Sequence, residues 1–472
     1  MDATILNIAL PSLVDDLRPD AIEQLWIIDV YGLVLGGLLL TAGAAGDRWG
    51  RKRLFLIGMV VFGIASVIAA TSRSVEVLIA GRVLLAIGGA MIMPSTLSLL
   101  RIVFTDPRER TVAIGIWASV AGVGAAIGPV LGGFLVEHFG WSAAFWVNVP
   151  IVLAALIAGA LILPESKSPS EHGLNWLDAL LSIVGMITFI WGIKHIFKDG
   201  LLSPAPLTLL AGVGILWWFV RRQKTRPDPM LDVKLFSRKP FVAAAIGILV
   251  AMMGIGTALF LLTLWLQYVE EYTPIQAGLR MLPAGIAVLI GALSAARLIR
   301  RAGVKVVLGI GLGGLILAFA ALAILPLSYP LVALALVAFG LGDGLAITAS
   351  TAIMVSAAPP ERAGMAAAIE ETFYELGVAL GVAFLGTIAA TAYRYGLTDL
   401  GLPQPQASIV DESIGGAYEV SETLGRYILD DAKAAFNDSI GLTSAVSAVL
   451  IAIATLIALR LIPQGFRADA KH

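Results

Sequence analysis

The apolar residues of this chain gather into long blocks separated by short charged or glycine-containing segments. Blocks long enough to cross the ~30 Å hydrocarbon core of a bilayer fall at about 25–46, 54–72, 75–100, 111–136 and 141–163, then 177–196, 204–220, 240–266, 277–299 and 306–325, and finally 331–356, 364–391 and 440–462. Each predicts a membrane-crossing helix, thirteen in all. The leading stretch MDATILNIALPSLV (Met1–Val14) is equally apolar but reaches only ~21 Å as a helix. It reads as the outer half of a fourteenth crossing, with the first helix truncated in this chain.

Basic residues orient the array. With alternating loops and a cytoplasmic N-terminus, 23 of the 32 Lys and Arg residues fall on the cytoplasmic side and 8 outside, Arg280 among the latter, while Arg82 lies within a span. The positive-inside rule then predicts cytoplasmic N- and C-termini. The linker RRQKTRPDPMLDVKLFSRKP (Arg221–Pro240) is the clearest boundary. It suggests an N-terminal six-helix bundle over 1–163, two additional helices with their linkers over 164–239, and a C-terminal six-helix bundle over 240–472. DPRER (Asp106–Arg110) is echoed by PPERAG (Pro359–Gly364), and Gly124, Gly128 and Gly133 by Gly377, Gly381 and Gly386. Repeated halves place a site near the midplane of many transporters. The long outer loop 392–438 contains EVSETLGRYILDDAKAAFND, read as one amphipathic helix lying on the surface.

Composition supports the membrane reading and narrows the chemistry. The chain is 58% hydrophobic and 14% charged, with a mean hydropathy of +0.90, where soluble proteins carry roughly a quarter charged residues. Without cysteine it has neither disulfides nor thiolate metal sites. Its four histidines form no zinc pattern, so neither metal nor cofactor is expected. No Walker lysine motif occurs, which argues against an ATP-driven pump, and GIGLGG (Gly309–Gly314) lies inside an apolar span where packing explains it. A nucleic-acid partner and an enzymatic activity are likewise not expected.

One block breaks the apolar rule. AAAIEETFYELGVALG (Ala366–Gly381) carries Glu370, Glu371 and Glu375. Glu371 and Glu375 are four apart and share a helix face, with Glu370 ~100° round it. An acid at bilayer depth costs at least ~2.5 kcal/mol, so this helix should line a water-filled path or bind a cation or a proton. Tyr374 and Phe373, with Trp26, Tyr31 and Trp117, can hold a cation against aromatic faces, worth ~2 kcal/mol when desolvated. Asp29 (LWIIDVYGLVL) and Asp343 (GLGDGLA) are further acids within spans. Arg82 cannot shed its proton, so it needs a carboxylate or carbonyl, and Asp2 or Asp29 is expected within salt-bridge reach.

Several of these segments resemble known signatures. GAAGDRWGRKR (Gly43–Arg53) resembles the loop motif of the major facilitator superfamily, and LIAGRVLLAIGGA (Leu78–Ala90) its arginine motif. GVGAAIGPVLGG (Gly122–Gly133) is similar to the antiporter motif, through Gly124, Gly128 and Pro129. MDATILNIALP (Met1–Pro11), whose acid is Asp2, resembles the first span of the fourteen-span drug/H+ antiporters, and the match extends nearly end to end. It is closest to the QacA/SmvA-like pumps for quaternary ammonium and other lipophilic cations.

The resemblance implies an all-α integral membrane protein of the major facilitator fold, two six-helix bundles plus two inserted central helices. It also implies proton-coupled multidrug efflux by alternating access from the cytoplasmic (inner) membrane of a bacterium, as a monomer. Asp47, Arg48, Gly50 and Arg51 become gating candidates. We assign Asp2, Asp29 and Arg82 to proton coupling, and Glu370, Glu371, Glu375, Asp343 and Tyr374 to recognition of the substrate cation. Leu282–Ala292, where such pumps can carry an acid, has none, so dications are expected to be handled worse than monocations. Export of an amino acid, siderophore or other endogenous metabolite is the rival within the class; a non-transporting sensor or scaffold is the rival outside it.

Overall fold

The computed structural model describes residues 2–104, 106–165, 176–200, 202–226, 229, 231–358, 363–398, 402–463 and 465–466, all of them in helices or their connections with no strand. The first part holds α1 (Asp2–Leu17), α2 (Ala21–Trp49), α3 (Arg51–Ala70), α4 (Val75–Val103) and α5 (Pro107–Phe139), then a short α6 (Ala143–Trp146) running into α7 (Asn148–Ile162). The pair α8 (Trp176–Asp199) and α9 (Ala205–Thr225) follows. The last part comprises α10 (Lys239–Leu264), α11 (Pro274–Ala302), α12 (Val304–Ile324), α13 (Tyr329–Ala357) and α14 (Ala363–Leu380). A π-helical turn (Gly381–Leu385) carries α14 into α15 (Gly386–Gly396), ahead of α16 (Gln406–Glu412), α17 (Ile414–Leu424) and α18 (Tyr427–Leu461).

Eleven described segments are long and apolar enough to cross a bilayer. Three expected crossings fall outside that count for identifiable reasons. The α1 helix has 16 residues, α9 carries Trp217, Trp218, Arg221 and Arg222 toward its end, and many side chains of α5 lie outside the described residues, Ile127–Phe139 being its described apolar part. Helix ends follow from local chemistry. Asp20 and Glu23 form a capping box that starts α2, with backbone-to-carboxylate bonds of 2.7 and 2.8 Å. Gly50, at φ +110°, ends α2 and starts α3, which is the tight turn its loop motif requires.

Contacts between the two halves concentrate where α5 meets α11 and α2 meets α14. Both seams depend on missing side chains. A Cβ on Gly133 would lie 2.4 Å from the Pro274 carbonyl oxygen, and one on Gly278 2.2 Å from that of Pro129. Within the last part glycines also admit close approach: Cβ atoms on Gly377 and Gly381 would stand 2.6 and 2.4 Å from the Leu249 and Met253 carbonyl oxygens of α10. In GIGLGG, Gly311 packs α12 on α13, its would-be Cβ 2.6 Å from the Ala346 nitrogen.

At the end to which the Lys/Arg count assigns the outside, the halves are closed on each other. Arg18 meets Glu419 at 2.7 Å, Gln267 donates to the Ile8 carbonyl at 3.2 Å, and the Ile275 N–H donates to Glu137 at 3.0 Å. The single amphipathic helix expected in loop 392–438 is corrected to two. Gly425, at φ +113°, ends α17, and the YILDDAKAAFND portion is the first three turns of α18. Glu271 ties this region down by accepting from Lys433 (2.6 Å), Arg426 (2.9 Å) and the Tyr418 hydroxyl (3.2 Å). The Lys433 hydrogen bond, reinforced by Tyr418 and Arg426, holds the Glu271 carboxyl below the usual carboxylate range.

Gly278→Ala should force α5 and α11 apart and destabilise the protein by ~1–3 kcal/mol, the usual range for overpacking. Gly313→Ala is the control, since its Cβ would meet nothing within 4 Å. Thermal unfolding of the purified proteins in detergent checks this; equal midpoints for both variants would show that the seam tolerates a methyl group.

Candidate functional site

The site is built where α2, α4, α8, α13 and α14 converge. Asp29 on α2 is fully buried, and its ion partner is Lys194 of α8: Nζ stands 2.8 Å from Oδ2, and both side chains have zero exposure. Lys194 also sits 4.2 Å from the centroid of the Trp26 ring, one turn before Asp29. The pair meets by distance rather than by a well-directed hydrogen bond, and Asp29 Oδ1 has no hydrogen-bond partner.

Of the two acids expected near Arg82, Asp29 takes Lys194 instead, and the side chain of Asp2 lies outside the described residues. Arg82, 1% exposed, donates through Nε to the Ile27 carbonyl at 3.0 Å and through Nη2 to that of Ile28 at 3.4 Å, and lies 4.7 Å from the Tyr31 ring centroid. A carbonyl has two lone pairs, so residues of α2 can accept this arginine in addition to their own helix bonds. Arg82 still lies within electrostatic range of both Asp29 and Glu375. Lys194 is the functional-site residue that sequence reasoning missed. The Lys/Arg count places it with the outer basic residues, and its burial lowers that count from 8 to 7.

The α14 acids diverge as their spacing predicts. Glu370 turns toward α13 and accepts a short hydrogen bond from the Thr351 hydroxyl. Glu375 lies against α2 in space left by a glycine, where a Cβ on Gly32 would stand 3.0 Å from its Oε2. Thr372 fixes the same contact by donating to the Gly36 carbonyl at 3.3 Å. All three glutamates keep partial solvent exposure, and Tyr374 keeps 38% although it sits deep among the helices. These side chains therefore line an interior that water reaches.

Asp343 on α13 is only 4% exposed, and its Oδ1 has no hydrogen-bond partner. Its flanking glycines provide the packing: Cβ atoms on Gly342 and Gly344 would lie 2.6 and 2.4 Å from the Gly311 and Val288 carbonyl oxygens. Asp343, Glu371 and Glu375 are thus three acids contributed by two neighbouring helices, with the water-exposed phenol of Tyr374 on the same helix as the two glutamates. Such an arrangement can take up and release a small cation or a proton.

Other expected residues stand apart from this cluster. Arg48 is exposed at the end of α2, Gly50 forms the turn and Arg51 begins α3; Gly124, Gly128 and Pro129 lie on α5. Phe373 packs on Phe236, ring centroids 6.0 Å apart. The side chains of Asp2, Asp47 and Trp117, and residues 359–362 of the echoed loop, lie outside the described residues.

Residues 1–382 match the family model described as Major Facilitator Superfamily. The multidrug efflux pump LfrA of Mycolicibacterium smegmatis is 39% identical over 466 residues, covering 97% of this chain and 92% of that protein. The methyl viologen resistance protein SmvA of Salmonella typhimurium is 37% identical over 465 residues, 96% of this chain and 93% of the relative. The tetracenomycin C resistance and export protein of Streptomyces glaucescens is 31% identical, covering 97% and 88%. Among solved structures, a bacterial homolog of the human lysosomal transporter Spinster superposes with a TM-score of 0.67 at 15% identity, covering 98% of this chain and 94% of that one.

Replacing Arg82 by Met should strip two charge-assisted bonds from the α2 carbonyls and cost ~2 kcal/mol or more, given ~1.5–3 kcal/mol per charged hydrogen bond. The unfolding midpoint of purified Arg82→Met protein measures this; a midpoint equal to that of the parent would remove Arg82 from the α2–α4 contact.

Proposed function

This chain belongs to the major facilitator superfamily, and from that premise we propose that it exports lipophilic and quaternary ammonium cations in exchange for protons. Drug efflux is its activity at the coarse level. It is a multi-pass membrane transporter acting on small molecules. Proton coupling, a monomeric state, residence in the inner membrane of a bacterium and cytoplasmic termini belong to the proposal.

The observation that carries it is the α14 face. Glu371 and Glu375 lie on one side of a helix inside the bundle, partly open to water, with Tyr374 on the same helix and Gly32 of α2 against Glu375. A carboxylate there can hold either a proton or a drug cation, so competition at one acid couples the two without a separate relay. In this reading 1–163 and 240–472 are the rocking halves, 164–239 carries the inserted helices, and Asp47, Arg48, Gly50 and Arg51 gate the cytoplasmic end. Gly124, Gly128 and Pro129 lie on the helix whose outer part forms the α5–α11 seam. Glu370, Glu371, Glu375 and Tyr374 receive the cation; Asp2, Asp29 and Arg82 handle the proton.

Glu371→Gln and Glu375→Gln keep shape but remove charge. Each should reduce ethidium export by at least ~10-fold, the effect of ~1.4 kcal/mol, with protein still in the membrane. Ethidium efflux from cells expressing each variant tests this, and unchanged rates in both would falsify cation recognition by α14.

The expectation that dications are handled worse rests on the acid-free stretch Leu282–Ala292; against it, Asp343 of α13 offers a second buried carboxylate whose Oδ1 has no hydrogen-bond partner. One relative is named for resistance to methyl viologen, itself a dication. We therefore expect Asp343→Asn to cut methyl viologen export by about tenfold or more, since an unpaired buried charge costs several kcal/mol, while ethidium export changes little. Parallel efflux assays of the two dyes decide; equal loss for both would return Asp343 to a packing role.

A further inference from the structure

Lys194 has no place in the scheme above, yet it is among the largest fully buried side chains of the protein. It reaches the site from α8, one of the two helices lying between the repeated halves. Those helices form a hairpin of their own: Cβ atoms on Gly192 and Gly212 would lie 2.6 and 2.5 Å from the backbone nitrogens of Leu209 and Phe189. At the other end of the hairpin, Asp178 meets Arg222 at 2.8 Å and Arg226 at 3.7 Å. The hairpin leans on α2 and on the π-helical turn after α14 through Leu33, Met186, Ile190, Ala379 and Ala383, a buried apolar cluster with Trp26 at its edge.

We propose that Asp29 and Trp26 form a cation-binding site whose resident occupant is the Lys194 ammonium, a tethered cation that a lipophilic monocation displaces. The inference rests on the cation-export reading and adds a residue and a competition to it. A carboxylate beside an aromatic face is the pairing that recognises organic ammonium groups, and Lys194 occupies both, 2.8 Å from Asp29 Oδ2 and 4.2 Å from the Trp26 centroid. A pair kept for stability would carry a full set of hydrogen bonds, and an apolar replacement is often as stable. Here Asp29 Oδ1 and Lys194 Nζ lack directed bonds. The occupant is held by charge and by the ring, both of which another cation can supply. Arg82 from α4 also acts on Asp29, and Glu375 of α14 lies against Gly32, about one turn along α2. His195 is turned away, stacked on Trp191 with centroids 3.7 Å apart.

A site filled by its own tether binds an external ligand more weakly by the fraction of time it is free. Removing the tether should therefore tighten ethidium binding by about tenfold if the site is roughly nine-tenths occupied. Ethidium Kd is read by fluorescence anisotropy on the purified full-length protein. Lys194→Met should lower Kd by about that factor, Lys194→Arg should restore the parent value, and Asp29→Asn should weaken binding. In an Asp29→Asn background Lys194→Met should have no further effect. Should Lys194→Met fail to fold, Lys194→Gln replaces it with the same expectation. An unchanged or raised Kd in the folded Lys194 variant overturns the proposal, as does a Kd shift that persists without the Asp29 carboxylate. Vesicle export is measured separately: a protein that binds ethidium with the expected shifts but exports none refutes the exporter reading and leaves this site standing.

Discussion

Charge inside a low-dielectric bundle is the constraint on which the rest of this structure depends. A carboxylate or ammonium buried among helices must find an opposite charge, a set of dipoles or water. Each of the three solutions is used here. Asp29 takes Lys194, Arg82 takes carbonyls of α2 and the face of Tyr31, and the α14 glutamates keep a share of solvent. The apolar helices are needed to cross the membrane; these few charges fix which helices must lie side by side, and hence where the water-reached interior can be.

The glycines set how closely those charges can approach. Glu375 fits against α2 because position 32 has no side chain, and α14 lies on α10 because positions 377 and 381 have none. In a membrane, where lipid competes for every apolar contact, close backbone approach is what holds helices together. A seam of bare backbone also has little side-chain interlocking to undo, which suits the rocking proposed above.

Much of this was legible in the sequence because charges are rare in apolar blocks and therefore stand out. The glutamates, Asp29, Arg82 and Asp343 could all be named in advance, and Gly133, Gly377 and Gly381 prove to be points of close backbone approach. Lys194 escaped for a physical reason. It lies at the tail of its block, beside His195 and before Lys198, where a lysine ordinarily reaches the interface. Only the packing of α8 on α2 turns it inward, and a single sequence holds no record of which helices meet. The same holds for Glu370, whose partner Thr351 lies on another helix, and for the outer loop, where one glycine decides that the final amphipathic turns belong to α18.

The π-helical turn at Gly381–Leu385 has a consequence for how this protein can change over generations. A π turn holds one residue more than the α-helical turn it replaces, so the segments on either side keep different registers: α14 aims its acids from one, while α15 sets Gly386 against Leu25 from the other. Loss of a single codon within the turn would restore a uniform α-helix and leave both segments facing their present neighbours. The same loss in a regular stretch of α14 or α15 would instead rotate one segment by ~100° relative to the other. The turn is therefore the place where a lineage could gain or lose a residue without re-aiming the acids.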